Sequence, residues 1–435
     1  MIAGITRPAV RGRLPSAQEV DRRRAADVGR ERVRGRLRAP RPGPDERRVT
    51  PFEIFFDLVF VFALTRIMAL IEPHPTPAAM AKGLLLLVLL WVAWLSYTWL
   101  GNHTPADVGV VRGGFLVAMA ALFLAALAMP EAWTPGPGLD GPLIVVLAYV
   151  VLRVVHLTLF HWAAAGDPEL RARIRFFAFV SAVGWVPLLL GALMDGAAHA
   201  ALWVLGFAVE VAGQRLAYTR RGAWPLRSPT HFTERYGLVL IISLGESVVA
   251  AGVGAASAVT EPPVLAVALV GFVVTVSLWW LYFHRTSPEA ARALAAAPAA
   301  QRDRMAADAY SQTHLLLVVG VIYLALGVEQ VLEHVADPEA GPRLNRSAAV
   351  ALFGGAAVYL AGRLLFRRLT GQPVGAARLA VAGAALPLAA LGTVLPPPLA
   401  LAALAGLLLA AIAVDRLGER AAAGRSTVTD AHQPV

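Results

Sequence analysis

From about residue 50 onward the apolar residues of this chain fall into twelve blocks of about 17–20, parted by short stretches that carry most of the charge. The first four are Phe52–Ile71, Gly83–Leu100, Gly113–Met129 and Leu143–Trp162, followed by Ile174–Met194, Ala200–Leu216, Tyr236–Val253 and Val264–Phe283. His314–Leu332, Ser347–Phe366, Leu379–Val394 and Leu399–Val414 complete the set. Blocks of this length can cross about 30 Å of hydrocarbon as a helix, although several are short for a perpendicular span. The pattern predicts an all-α, polytopic transmembrane bundle of about twelve spans. Only Leu395 to Pro398 separate the last two, so eleven spans or a re-entrant pair is the alternative.

Ahead of the first block the chain is rich in Arg, Pro and Gly and has no apolar run, so it cannot bury enough surface to offset the entropy of ordering. The expected organisation is a disordered Arg-rich tail at 1–48, two six-segment halves at 49–229 and 230–416, and a second disordered tail at 417–435. Arg22, Arg23 and Arg24 superficially match a twin-arginine signal, but no apolar core follows for almost thirty residues and no cleavable signal is expected.

Composition narrows the function. At 57% hydrophobic, 16% charged and a mean hydropathy of +0.61, the chain is no globular enzyme with one anchor. The formal charge of +10 is concentrated in residues 1–48, where fourteen arginines face six acidic residues, so it gives no reason to expect a specific nucleic-acid partner. The absence of cysteine excludes disulfides, thiolate nucleophiles and Cys-ligated metals. Lys82 is the only lysine, a bias we ascribe to GC-rich codons.

Loop charge sets the orientation. One set of connections holds Arg171, Arg173 and Arg175, then Arg215, Arg220, Arg221 and Arg227, then Arg285, Arg292, Arg302 and Arg304, then Arg367, Arg368 and Arg378; Gly101–Arg112 adds a single Arg. The opposite set, including Pro130–Pro142, Asp195–His199 and Gly254–Pro263, has no Lys or Arg, and Glu333–Arg346 has two diluted by acids. Both termini are therefore expected in the cytoplasm.

Thr50–Leu64 laid over Thr230–Leu244 matches Thr50 with Thr230, Phe52 with Phe232, Leu58 with Leu238, Val59 with Val239 and Leu64 with Leu244. Trp94-x-x-Tyr97 matches Trp279-x-x-Tyr282 in the following segment of each half. A duplication of six segments would leave the halves parallel, with sites expected between them.

Ionisable groups inside spans cost roughly 2.5–3.5 kcal/mol each on insertion scales and are the candidate functional residues. They are Glu53 and Asp57 entering segment 1; His231, Glu234 and Arg235 entering segment 7, with Glu246 near its middle; Arg153 in segment 4; Glu210 in segment 6; and His314 in segment 9. The plainer roles are interfacial capping for Glu53, Glu234, Arg235 and His314, dipole compensation for Asp57, and a structural ion pair for Arg153 and Glu246. Glu246 is expected to face the interior, near a partner such as Arg153. Gly320, Gly327, Gly354, Gly355 and Gly362 suggest close helix packing, and Trp91, Trp94 and Trp99 are expected at lipid and interface. Phosphate-loop, zinc-protease and nucleophile-elbow motifs are absent. His156 and His161 do not share a helical face, and neither metal nor cofactor is expected.

The run Pro51-Phe-Glu-Ile-Phe-Phe-Asp-Leu-Val-Phe-Val-Phe-Ala63 resembles the opening motif of the bacterial low temperature requirement A family. His231-Phe-Thr-Glu-Arg-Tyr-Gly-Leu-Val-Leu-Ile-Ile-Ser-Leu-Gly-Glu-Ser247 is similar to its second hallmark, and Tyr310 to Glu329 to a later Tyr/His helix. The resemblance spans roughly Arg48 to Arg416. It implies an integral plasma-membrane protein associated with growth in the cold, and no particular activity.

Three functions stay open. A secondary transporter or ion-coupled permease would bind a proton or cation at Glu246 with Asp57, and an anion at Arg153. A membrane-embedded enzyme or lipid-modifying factor would use Asp57, Glu210, Glu234, His231 and His314. A structural or sensory membrane protein would need no substrate. The expected partners are the bilayer and a small solute, proton or ion; the sequence fixes no oligomeric state.

Overall fold

The computed structural model describes residues 47–134, 139–255, 258–337, 339 and 341–430. The Arg-rich segment 1–46, read above as a disordered tail, and the final five residues lie outside them. Twelve helices follow: α1 Pro51–Ile71, α2 Pro77–His103, α3 Gly109–Ala128, α4 Gly141–Ala163, α5 Pro168–Gly191 and α6 Gly196–Arg221. They continue with α7 Pro229–Ala255, α8 Pro262–Ala296, α9 Ala299–Ala336, α10 Arg346–Leu369, α11 Ala376–Gly392 and α12 Pro397–Asp430.

Eleven of these are long and apolar enough to cross a membrane. The twelfth, α11, has 17 residues and so reaches only about 25 Å. The backbone of α12 stays helical to Asp430, through residues read from sequence as an irregular tail.

Local chemistry sets the helix starts. Thr50, Thr76, Asp140, Asp167 and Asn345 each accept a backbone N–H three residues on. Proline opens α1, α2, α5 and α8, where its missing N–H costs nothing. Helices α8, α9 and α10 each contain a π-helical turn, at Tyr282–Thr286, Ala306–Gln312 and Val350–Gly354.

In the first six helices, α1 packs on α2 and α3, α3 on α4, α4 on α5, α5 on α6, and α2 on α4 and α6. The last six use the same ordinal partners: α7 with α8 and α9, α9 with α10, α10 with α11, α11 with α12, and α8 with α10 and α12. Between the two sets α1 meets α7 and α9, and α2 meets α7 and α9. Helix α9 is the most enclosed span. Its seam with α10 needs glycine: a Cβ on Gly355 would lie 2.5 Å from the Leu324 nitrogen, and one on Gly320 2.6 Å from the Tyr359 nitrogen. Gly327 and Gly362 meet the same seam, whereas Gly354 touches only Val350 of its own helix.

Candidate functional site

Helices α1 and α7 meet through two acid and base pairs spaced one turn apart. The capping box of α1 orients Glu53, whose Oε2 accepts from the backbone N–H and hydroxyl of Thr50 at 3.0 Å. Its Oε1 lies 2.8 Å from His231 Nε2. One turn on, Arg235 Nη2 is 2.8 Å from Asp57 Oδ1, an ion pair by distance whose N–H is not aligned for a hydrogen bond. Arg235 Nη1 donates to the Glu53 carbonyl at 2.9 Å, and Trp94 Nε1 donates to Asp57 Oδ1 at 2.8 Å. All four of these ionisable side chains are essentially buried.

The spacing of four in both helices puts each pair on one face, which is why the two pairs interlock. The end of α2 closes the network. Asn102 accepts from the Arg227 and Ser228 nitrogens at 2.9 and 3.3 Å, while its Nδ2 donates to the Ser228 carbonyl at 2.8 Å and approaches His231 Nδ1 at 3.4 Å. That approach makes Nδ1 the acceptor and assigns the His231 proton to Nε2, facing Glu53. Just before α1, Arg47 donates to the Gly101 carbonyl; burial lowers its pKa from the usual guanidinium value, against the attraction of Glu53.

Aromatic rings wall this seam. Trp91 and Trp94 stack with centroids 4.9 Å apart, and Tyr236 stands edge-on to Trp94 at 5.1 Å. Tyr236 bonds Ser311 at 2.9 Å, and the Ser311 carbonyl accepts from Trp91 Nε1 at 2.9 Å. The guanidinium of Arg235 lies 5.7 Å from the Trp94 ring. The expectation of lipid and interface contact for Trp91, Trp94 and Trp99 is thus corrected: all three are buried, and two hydrogen-bond into the seam. His314 belongs to the same wall: its Nδ1 faces the Tyr310 carbonyl at 3.0 Å, and its Nε2 accepts from Tyr282 at 2.6 Å.

Arg153 forms a second network. It bonds Ser96, donates to Ser181 at 3.0 Å and lies 2.9 Å from Glu210 Oε1, to which Tyr149 also donates at 2.9 Å. The expected approach of Arg153 to Glu246 is therefore overturned. Helix α4 packs on α2, α3 and α5, whereas α7 packs on α1, α8 and α9, so the nearest acid to Arg153 comes from α6. Glu246 does face the interior, at 6% exposure, where its Oε2 accepts from Thr65 at 2.9 Å. Glu234 is partly exposed and accepts from the Val49 nitrogen at 3.0 Å.

The last six helices contain a counterpart of the Arg153 network. Arg363 of α10 pairs with Asp415 of α12 and donates to the Leu281 carbonyl of α8 at 2.7 Å; Arg378 of α11 reaches Asp415 at 2.6 Å. Tyr149-x-x-x-Arg153 in α4 and Tyr359-x-x-x-Arg363 in α10 are the sequence trace of this likeness, which the comparison of spans 1 and 7 alone did not reach. Ser96 and Leu281 hold equal places within their Trp-x-x-Tyr motifs, two residues beyond each tryptophan.

A cavity of about 390 Å³ opens between α2, α4, α5 and α6 on one side and the π-helical turn of α9 on the other. Trp91, Trp99, Phe160, Phe177 and Trp224 wall it, and Gln214, Arg215 and Tyr218 line its polar side. His156 faces it, 2% exposed, with neither ring nitrogen hydrogen-bonded. Arg215 and Tyr218 both reach Asp308 of α9, at 3.2 and 2.9 Å.

Four of the nine sequence-derived candidates, Glu53, Asp57, His231 and Arg235, thus share one network; Arg153 and Glu210 share another. Glu246, Glu234 and His314 belong to neither.

Residues 48–413 match the family described as Bacterial low temperature requirement A protein (LtrA). A protein of Rhizobium meliloti (strain 1021), named Uncharacterized protein RA0937, is 28% identical over 340 residues, covering 75% of this chain and 79% of that one. The matched span takes in the four ionisable residues that join α1 to α7 and the Arg153–Glu210 pair, and ends two residues short of Asp415.

Proposed function

The chain belongs to the bacterial low temperature requirement A family, and from that premise we propose that it is a secondary transporter or ion-coupled permease of the plasma membrane, built from two parallel six-helix halves. The observation that carries the reading is the seam of buried ionisable groups where α1 meets α7, between two sets of helices with the same order of packing partners. Parallel repeats that meet at a polar seam are the arrangement in which transporters hold their substrates and coupling ions. The repeated Tyr-x-x-x-Arg tie between the fourth and sixth helix of each half supports the duplication.

In this reading the solute occupies the aromatic cavity and Glu246 takes up a proton or cation. Its only hydrogen-bond partner among the described residues is a hydroxyl, so no fixed positive charge competes for it. A lipid-modifying enzyme would need Asp57, Glu210, Glu234, His231 and His314 to converge, but only Asp57 and His231 share a network, while Glu210, Glu234 and His314 each bond elsewhere.

Glu246→Gln keeps the bond from Thr65 and removes the charge. It is expected to abolish complementation of growth in the cold while membrane abundance stays unchanged. Wild-type behaviour on both counts sinks the role of Glu246, and a fall in abundance with activity kept makes it a structural tie.

The orientation follows from the basic loops, with both termini cytoplasmic. Reporter fusions after Arg221 or Arg304 are expected to give a cytoplasmic signal; a periplasmic signal at either would overturn the topology.

A further inference from the structure

At the opposite face of the bundle from the Glu53 network, where α1 and α9 end, three carboxylates converge. Glu72 is the C-cap of α1, and Glu329 and Glu333 lie one turn apart in the last turns of α9. One carboxylate oxygen from each lies within 4.8 Å of the other two.

Proximity alone would mean little, since acidic clusters are common at protein surfaces. Glu329, however, is 3% exposed, points into the cluster, and its buried Oε2 has no hydrogen-bond partner among the described residues. Gln330 Nε2 donates to Glu333 at 2.7 Å. No Arg, Lys or His forms an ion pair with any of the three among the described residues. The placement also opposes the helix dipoles, because α1 and α9 both present their negative C-terminal ends here. Glu246, the next carboxylate inward, adds its own charge to the field at Glu329. Three acids gathered at the wrong ends of two helices, one of them buried and unbonded, require a positive counterpart.

We infer that Glu72, Glu329 and Glu333 form a binding site for a hard divalent cation the size of Ca²⁺. The ligand set is all oxygen, which excludes the preferences of soft metals. Oxygens held about 2.3–2.6 Å from one ion can stand up to roughly 5 Å apart, so three that lie within 4.8 Å of one another can share one Ca²⁺. The cation ties the end of α1 to the end of α9, one helix from each half. The site stands on these carboxylates and does not depend on the transport reading.

The test is equilibrium dialysis of the purified full-length protein against radiolabelled Ca²⁺, with thermal unfolding run in parallel in CaCl₂ and in chelator. Wild type is expected to bind one Ca²⁺ per chain and to melt several degrees higher with it. Glu329→Gln is expected to weaken binding at least about 100-fold and to melt above wild type in chelator, because a like charge has been removed. Glu333→Gln, at a less buried position, repeats the test if the first variant does not fold. Absence of Ca²⁺ binding by wild type, or equal binding by wild type and variant, overturns the site and leaves shared protons as the counter-charge.

Discussion

Arg235→Met is expected to destabilise the protein by roughly 3–5 kcal/mol, because it strands a buried carboxylate whose only charged partner within ion-pair distance among the described residues is Arg235. Asp57 is fully buried; without Arg235 it retains the Trp94 indole and nothing on its second oxygen. The carbonyl of Glu53 loses its guanidinium donor at the same time. The sign reverses for the pair: Asp57→Asn placed on top of Arg235→Met removes the stranded charge, so the double variant should recover much of the loss. Thermal unfolding of the purified protein in detergent measures both. A single variant that melts like wild type, or a double variant no better than the single, would sink the account of α1 and α7 as held by this pair.

The second large effect is a ranking between the two arginines of the fourth helices. Arg153→Met removes the ion-pair partner of Glu210 and leaves that acid, buried among α4, α5 and α6, with the Tyr149 hydroxyl and a long contact of 3.5 Å from Ser181. A cost of roughly 3–5 kcal/mol is expected. Arg363→Met leaves Asp415 in better circumstances. Its side chain is 15% exposed and keeps Arg378 at 2.6 Å, so the loss should be smaller, roughly 1–2 kcal/mol. Melting temperatures of the two variants decide the order. Equal losses, or a greater loss at Arg363, would mean that packing of the long side chain outweighs the ion pair.

The spans were legible because hydrocarbon imposes one requirement on every crossing segment, an uninterrupted apolar length, and that requirement is written locally. Each of the twelve segments overlaps a helix, including the short Leu379–Val394, most of which lies in α11. The candidate residues were legible for the same reason, since charge inside such a segment stands out. Their partners were not. Glu53 meets His231 across 178 residues and Asp57 meets Arg235 across the same interval, a register set by how α1 lies on α7. Arg153 was assigned to Glu246 because both sit at mid-span, yet depth says nothing about which helices are neighbours. The tryptophans were misplaced because an aromatic ring carries no mark of whether it faces acyl chains or Asp57. Nor does hydropathy reveal the π-helical turns of α8, α9 and α10, which change side-chain direction without changing composition.

The connection between the sixth and seventh helices is pinned at three consecutive nitrogens: Leu226 to Asp303, and Arg227 and Ser228 to Asn102. A stretch so tied is a poor hinge, although it is the covalent joint between the first six helices and the last six. Leverage on the assembly is therefore lopsided, like that on a clothes-peg with its spring at one end. Beside the joint, any parting of the halves must break Glu53 from His231 and Asp57 from Arg235; at the far end it is resisted by a bond from Tyr323 to the Met80 carbonyl and aided by the mutual repulsion of three carboxylates. The jaws lie with Glu72, Glu329 and Glu333, and whatever neutralises those acids decides how tightly they shut.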